Sequence, residues 1–295
     1  MSLEIVNECP ACGNQIFTNY ITCQDYLVSN QQFQIQQCST CTLLLTNPRP
    51  DVVSIGHYYK SQDYISHTDG NTGLIDQLYR TVRTYTLRQK VNLIDEVNKG
   101  KGSMLDVGCG TGSFLEQCQA AGWEVSGVEP DPDAQAIAEK RLQKHIKENV
   151  HQIEVRPPFD VITMWHVLEH IPLVNESLKQ IHSLLRPGGT LIIAVPNCQS
   201  WDAEHYMKWW AAYDVPRHLY HFSPTTLRKL VEKNGFNEVG RRPMLFDSFY
   251  IAMLSTKNRD GKTNYAESVI NGLKSNFHAR RTGNYSSLTY VFQRQ

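Results

Sequence analysis

The chain has no apolar run approaching the ~20 residues that span a bilayer, and its N-terminus lacks the basic head and apolar core of a secretory signal. Both absences lead us to expect a soluble, cytoplasmic protein with no membrane span. Neither charge is in excess: 29 Lys+Arg stand against 29 Asp+Glu. A protein that grips nucleic acid through its phosphates needs a basic surplus, so a nucleic-acid partner is not expected. There is no internal repeat. The Gln-rich stretch at 31–37 alternates with apolar residues and is not low complexity. The eight cysteines are too few in 295 residues for a disulfide scaffold, and in a cytoplasmic chain they read as metal ligands and free thiols.

Four of them are paired. Cys9-Pro10-Ala11-Cys12 and Cys38-Ser39-Thr40-Cys41 form two C-x2-C knuckles separated by 25 residues. Each knuckle turns backbone N–H groups toward two thiolates, and two knuckles make the tetrahedral four-sulfur set that Zn²⁺ prefers. Phe33-Gln34-Ile35-Gln36 between them alternates with a period of two, as a strand does. The layout is a zinc ribbon over residues 1–46. A module this short buries little apolar surface, so the metal is expected to supply most of its folding energy. Strong chelation is expected to loosen it while the rest of the chain stays folded. Cys23, Cys109, Cys118 and Cys198 show no ligand spacing.

Asn47-Pro48-Arg49-Pro50 punctuates the end of the ribbon. Residues 47–100 then form a connector with Tyr58, Tyr59, Tyr64 and His67, followed by an amphipathic helix. Leu74, Leu78, Val82, Tyr85, Val91, Ile94 and Val97 recur at helical spacing up to Gly100. From 101 to 295 strands and helices alternate. Strands are predicted at Met104–Val107, Val125–Val128, Phe159–Met164 and Thr190–Val195, with a weak one near His145–Lys147. Helices fall at Phe114–Ala121, from Pro132 to about Gln143, at Leu173–Leu185 and from Pro224 to about Asn234. Runs at Phe236–Val239 and Tyr285–Phe292 would complete a seven-stranded sheet. Such alternation predicts an α/β fold with a doubly wound, mostly parallel sheet.

The most informative segment is Leu105-Asp106-Val107-Gly108-Cys109-Gly110-Thr111-Gly112-Ser113. It reads as a buried strand entering a glycine turn and then a helix. Gly108 and Gly110 would let a ligand lie against the backbone, and Gly112 opens a helix with free N–H groups. Glu129 follows at the end of the next strand, where a carboxylate can accept both hydroxyl hydrogens of a ribose. The spacing is G-x-G-x-G, whereas a dinucleotide turn needs G-x-G-x-x-G, which argues against a nicotinamide-dependent oxidoreductase.

This segment resembles motif I of the class I S-adenosylmethionine (SAM) methyltransferases, and Glu129 resembles their ribose-binding acid. Phe159-Asp160-Val161-Ile162, then Trp165-His166-Val167-Leu168-Glu169-His170, and the Leu185-Arg186-Pro187-Gly188-Gly189 turn resemble later motifs of the same superfamily. The resemblance implies a Rossmann-like methyltransferase domain that takes a methyl group from SAM. It implies cofactor contacts at Asp106, Gly108, Cys109, Gly110, Glu129, Pro130, Met164 and Trp165, with Tyr64 reaching in from the connector. The cluster Trp209-Trp210-Ala211-Ala212-Tyr213-Asp214-Val215-Pro216-Arg217-His218 resembles the acceptor-side insertion of bacterial methyltransferases with an N-terminal zinc-binding domain. Residues 9–46 and 104–240 together resemble sugar C-methyltransferases that act on nucleotide-linked deoxysugars. Those enzymes carry a further large C-terminal domain, so O-methylation of a secondary metabolite, glycan or lipid precursor stands beside C-methylation.

An oxygen or acidic-carbon acceptor must lose a proton, and histidine is the usual base. His166, directly after the fourth strand, is the first candidate. His218 in the aromatic insertion is the second, as an acceptor contact with Arg217. An aromatic lid with Arg217 paired to Asp214 is the structural alternative. Residues 201–295 carry 14 basic against 8 acidic side chains, which suits an anionic acceptor or is simply a solvated surface. The rival functions are an RNA methyltransferase that grips RNA with the ribbon and a SAM-binding protein without catalysis. Only two basic residues among the first 60 argue against the first.

Overall fold

The computed structural model describes residues 2–59, 74–154 and 158–295, with side chains from residue 81 onward in the helix that begins at Leu74. Tyr64 and His67 lie outside the described residues.

Residues 3–50 contribute to two small antiparallel sheets. Leu3–Glu4 (β1) pairs with Arg49–Pro50 (β5), while Phe17–Gln24 (β2), Gln32–Cys38 (β3) and Leu44–Thr46 (β4) pair in sequence order. Alternation in β3 puts Phe33 and Ile35 inward and Gln32 outward, as the period of two requires. Leu74–Asn98 (α1) then leads into the central sheet.

That sheet comprises Ser103–Val107 (β6), Glu124–Val128 (β7), Phe159–Trp165 (β8), Leu185–Pro196 (β9), Phe236–Pro243 (β11) and Ser287–Arg294 (β12), in the order β11-β12-β9-β8-β6-β7. The run β7-β6-β8-β9 is parallel, and β12 and β11 close the edge antiparallel. Its strands are apolar on both faces, as a sheet covered twice must be. Leu105, Ile162, Leu191 and Ile193 face one core with Leu178 and Ile181 of Val174–Leu184 (α4) and Leu227 and Leu230 of Pro224–Lys233 (α6). Met104, Val125, Val161 and Ile192 face the other, against Val91 and Ile94 of α1, Phe114 and Leu115 of Ser113–Ala120 (α2) and Ala138 and Leu142 of Pro132–Leu142 (α3). Each fully buried Leu or Ile contributes roughly 1.5–3 kcal/mol.

Among the described residues the sheet has six strands, where the sequence suggested seven. The weak strand near 145–147 survives as a single parallel bridge, Val128 to Lys147. Of Lys144-His145-Ile146-Lys147 only Ile146 is buried, so one side chain holds the segment and a ladder does not extend.

After β9 come Trp201–Tyr206 (α5), Tyr220–His221 (β10), then α6 and β11, followed by Asp247–Asp260 (α7) and Tyr265–Thr282 (α8). The last two helices occupy a region for which the sequence predicted no helix. They pack through small and polar residues: Ser248, Ala252 and Ser255 on α7, Ser268, Gly272 and Ser275 on α8. Val269, Ile270, Leu273 and Phe277 of α8 point outward.

The cysteine module is not a detached unit. β10 adds to β4 as the fourth strand of the N-terminal sheet, Tyr220 opposite Leu45 and His221 opposite Leu44. The Thr46 hydroxyl donates to the His218 carbonyl at 2.7 Å. The Pro10 carbonyl, inside the first knuckle, accepts from Asn175 of α4 at 3.1 Å and from Lys233 of α6 at 2.9 Å. Cys9, Cys38, Leu43 and Leu45 belong to the same apolar cluster as β6, β8 and β9. At the centre of the junction Arg217, 1% exposed, donates to Asp25 at 2.9 Å, to Asp214 at 2.7 Å and to the Tyr58 carbonyl at 2.9 Å. Burial opposes the charge of Asp25, yet Arg217 and Ser29 hold its carboxyl below the ordinary range.

This coupling bears on the expectation of a module that loosens by itself. Removing one partner of a buried ion pair strands the other, at a cost of about 3–5 kcal/mol. Arg217→Met, which leaves Asp25 buried without its cation, should lower the stability of the whole chain by that amount in urea unfolding, with the sheet domain and the module melting in one transition. A variant that loses only the module's signal would refute the coupling.

Candidate active site

In doubly wound sheets ligands bind beyond the carboxyl ends of the strands, where the strand order reverses. Here the chain moves from β6 outward to β7 and then returns to β8 on the other side of β6, so the reversal lies between β6 and β8. Asp106–Gly110, Glu129 and Met164–His166 all meet there.

The glycine turn is held by Gly108 and Cys109 N–H bonds to the Val128 carbonyl, at 2.8 and 2.9 Å. Its glycines have different tasks. A Cβ on Gly108 would stand 2.5 Å from Val167, so this glycine makes room for a neighbouring side chain. A Cβ on Gly110 would meet nothing within 4 Å, and this position faces open space. Gly112 caps α2 in the left-handed region with no side-chain cap, so the first N–H groups of the helix stay free. Cys109 is buried and offers its backbone.

Glu129 is tied at both oxygens. Oε2 accepts from Gly110 N–H at 2.7 Å and Oε1 from Asp131 N–H at 3.0 Å. Burial raises its pKa, and these two bonds oppose the rise. Each carboxylate oxygen can accept a second hydrogen. Pro130, between the two anchored residues, is held at the rim. Met164, near the end of β8, is fully buried in the core. Trp165 packs edge-on to Phe114 at 5.6 Å, and its indole N–H has no partner among the described residues.

Several groups were missed at the sequence level. Lys90 of α1 lies over the Trp165 ring, Nζ 4.2 Å from its centroid. The Thr163 hydroxyl donates to Asp106 at 2.6 Å. Burial pushes the Asp106 carboxyl up to about 7, against the pull of Thr163 and Lys90. Asp247, at the start of α7, lies 3.2 Å from His166 Nε2.

His166 has φ +57°, rare for a residue with a Cβ, and functional sites are where such strain concentrates. Its ring is one-third exposed and spans Asp247 and Glu169, the latter 3.5 Å from Nδ1. Burial works against its charge, but the two carboxylates win and raise its pKa to about 9. The two carboxylates thus favour the protonated ring, which weighs against His166 as a free base. His170 and His218 stand edge to face, centroids 4.6 Å apart. Burial and the neighbouring His218 lower the pKa of His170 to about 4. Arg217 is in the buried junction, and Trp210 is buried with its N–H on Asp202 at 2.9 Å. Arg217 does pair with Asp214.

The four knuckle cysteines come together apart from this crevice. Cys9 and Cys41 Sγ are 3.4 Å apart, Cys12 and Cys38 Sγ 3.5 Å, and all four sulfurs lie within 4.8 Å of one another. These distances are far from a disulfide bond and close to the roughly 3.8 Å edge of a tetrahedron with ~2.3 Å metal–sulfur bonds. Burial raises the Cys38 thiol, but N–H groups of Cys41 and Thr40 overcome it and bring it down to about 6.

Residues 79–239, more than half of the chain, match a family model described as a methyltransferase domain. The chain belongs to this methyltransferase-domain family. A ubiquinone biosynthesis O-methyltransferase from Nitrobacter winogradskyi is 27% identical over 164 residues, 50% of this chain and 60% of that protein. Another from Rhodopseudomonas palustris is 31% identical over 122 residues, covering 36% and 47% respectively. The chain thus spans about 60% or less of the length of these relatives. The magnesium protoporphyrin IX methyltransferase from Synechocystis PCC 6803, solved with bound SAH, superposes with a TM-score of 0.53 at 16% identity, over 81% of this chain and 97% of that one. This likeness shows the fold: a Rossmann-like methyltransferase domain with a mostly parallel sheet. No helix among the described residues is long and apolar enough to cross a membrane.

Asp106 gives this methyltransferase domain a pH signature. A buried acid titrating near 7 but near 4 when unfolded makes the folded state bind the extra proton between those values. Stability therefore falls as pH rises through that window. Asp106→Asn keeps an acceptor for Thr163 without the charge. It should be more stable than wild type by about 1–3 kcal/mol at pH 8, with the gain fading toward pH 4. Urea titrations at pH 5 and pH 8 with equal differences would remove the assignment.

Proposed function

We propose that this protein transfers a methyl group from SAM to a small-molecule acceptor, at oxygen or carbon. The observation that carries the reading is Glu129. It is a buried carboxylate fixed by Gly110 and Asp131 with lone pairs left over, beside a turn whose Gly110 faces open space. Those features fit a nucleoside ribose and the chain that follows it. The start of α2, without a side-chain cap, adds N–H donors at the same crevice. Asp106, Gly108, Cys109, Gly110, Glu129, Pro130, Trp165 and the Met164 backbone are the proposed cofactor contacts. The names of the relatives and of the SAH-bound neighbour support the same reading.

When bound, SAM supplies an already electrophilic methyl group, so the protein's task is to orient an acceptor and exclude water. His166 projects from the end of β8 into the crevice. As an imidazolium held by two carboxylates, it suits hydrogen bonding to an acceptor oxygen and balancing charge there better than proton abstraction. His218, buried and directed toward His170, is proposed to shape the acceptor side. The four cysteines are proposed to bind one structural Zn²⁺, for which their spacing and charge are suited. We further propose a cytoplasmic protein and an acceptor that is not nucleic acid. The domain limits proposed are 1–46 for the ribbon, 47–100 for the connector and helix, and 101–295 for the methyltransferase domain.

Glu129→Ala should weaken SAM binding by about 1–3 kcal/mol, the loss expected for hydrogen bonds to a charged acceptor. Calorimetry that finds unchanged affinity would move the ribose elsewhere. His166→Ala should lower turnover at least ~10²-fold while leaving SAM affinity nearly intact. Methyl incorporation at the wild-type rate would remove His166 from the chemistry.

A further inference from the structure

We propose that Glu169, His170 and His218 bind a second divalent metal ion, of the zinc type, at the acceptor side of the crevice. One ligand atom from each lies within 4.8 Å of the other two. Glu169 is 1% exposed, and neither carboxylate oxygen has a hydrogen-bond partner among the described residues. The nearest cationic atom, His166 Nδ1, is 3.5 Å away, at the limit of a hydrogen bond. A buried carboxylate is normally saturated with donors, so an unbonded one aimed at two histidines needs a partner.

The imidazoles are prepared to supply the other ligands. His218 Nδ1 lies 2.8 Å from the Ala212 carbonyl, and His170 Nδ1 lies 3.1 Å from the Arg217 carbonyl. The Tyr59 hydroxyl is also 2.9 Å from His170 Nδ1. A carbonyl only accepts, so His218 Nδ1 carries the hydrogen, which leaves its Nε2 lone pair open in the neutral ring. His170 Nδ1 can donate to the Arg217 carbonyl in the same way, or accept from the Tyr59 hydroxyl. Metal-binding histidines are held in this way, with the second ring nitrogen donating to a backbone carbonyl or carboxylate. Two imidazoles and one carboxylate form a donor set that suits Zn²⁺ with an open position, and suits Mg²⁺ or Ca²⁺ poorly.

The place gives the ion a use. Val167, two residues before Glu169, packs against Gly108 of the cofactor turn, and His166 adjoins it. A divalent ion with an open position lowers the pKa of a bound hydroxyl. It would supply that activation beside the cofactor turn. This role rests on the methyl-transfer reading, whereas the metal site itself does not.

The full chain, loaded with Zn²⁺ and desalted, should contain about two zinc ions, and Glu169→Gln about one. The variant should keep its near-UV circular dichroism and its SAM affinity. His170→Gln serves as the second variant if the first does not fold. With Co²⁺, the difference spectrum between wild type and variant should show visible bands without thiolate charge transfer, separating this site from the four cysteines. One metal in wild type and an unchanged content in the variants would overturn the proposal. Two metals without any methyl transfer would leave the site standing and remove the methyl-transfer reading instead.

Discussion

The buried guanidinium of Arg217 is the constraint on which the rest of the site depends. It is shared by Asp25 from the N-terminal sheet, Asp214 from its own loop and the Tyr58 carbonyl. Desolvating a guanidinium costs more than one exposed partner could return, so its environment must be complete before it is tolerable. Completing it fixes the loop 214–218 against the cysteine module. That in turn aims the Arg217 carbonyl at His170 and sets His218 beside it. The four cysteines are therefore remote from the crevice in space but not in consequence. By ordering β2 to β4 they hold Asp25, and Asp25 holds the loop that orients the histidines.

Electrostatics in the crevice are partitioned by anchoring. Glu129 is kept available as an acceptor by two backbone donors, while Asp106, without such donors, is pushed toward its protonated form. His166 is likewise pushed toward its protonated form, which for an imidazole is the charged one, by Asp247 and Glu169. The three titratable groups of the crevice are thus shifted by what each is bonded to, as is common where chemistry is done. The glycine turn follows the same economy of space. Gly108 makes room for Val167 and Gly110 leaves room for a ligand, although the sequence presents the two identically.

The parts that could be read from sequence are those written by local periodicity or by turn chemistry. The strands β6, β7, β8 and β9, the helix caps at Asp131 and Ser223, the knuckles and the glycine turn are of this kind. α7 and α8 escaped because their pattern is inverted, with serines and glycine inside and Val269, Ile270, Leu273 and Phe277 outside. Asp247 escaped with α7. Arg217 was ambiguous for a different reason: Asp25 is 192 positions away, and nothing local announces it. Lys90 sits in a correctly predicted helix, but that its amine reaches Trp165 is a tertiary fact.

The pairing of β4 with β10 also bears on how the chain is made. Thr46 and the His218 carbonyl that it bonds are separated by 172 positions. At the usual ~5–20 residues per second, a ribosome needs roughly 9–35 s to cover that distance. Throughout that interval the cysteine sheet exists with an open edge at β4 and without its buried arginine. A closed metal site that needs no distant strand is one of the few ways such a fragment can hold its shape while it waits. The knuckles, both complete before residue 42, can close within that fragment.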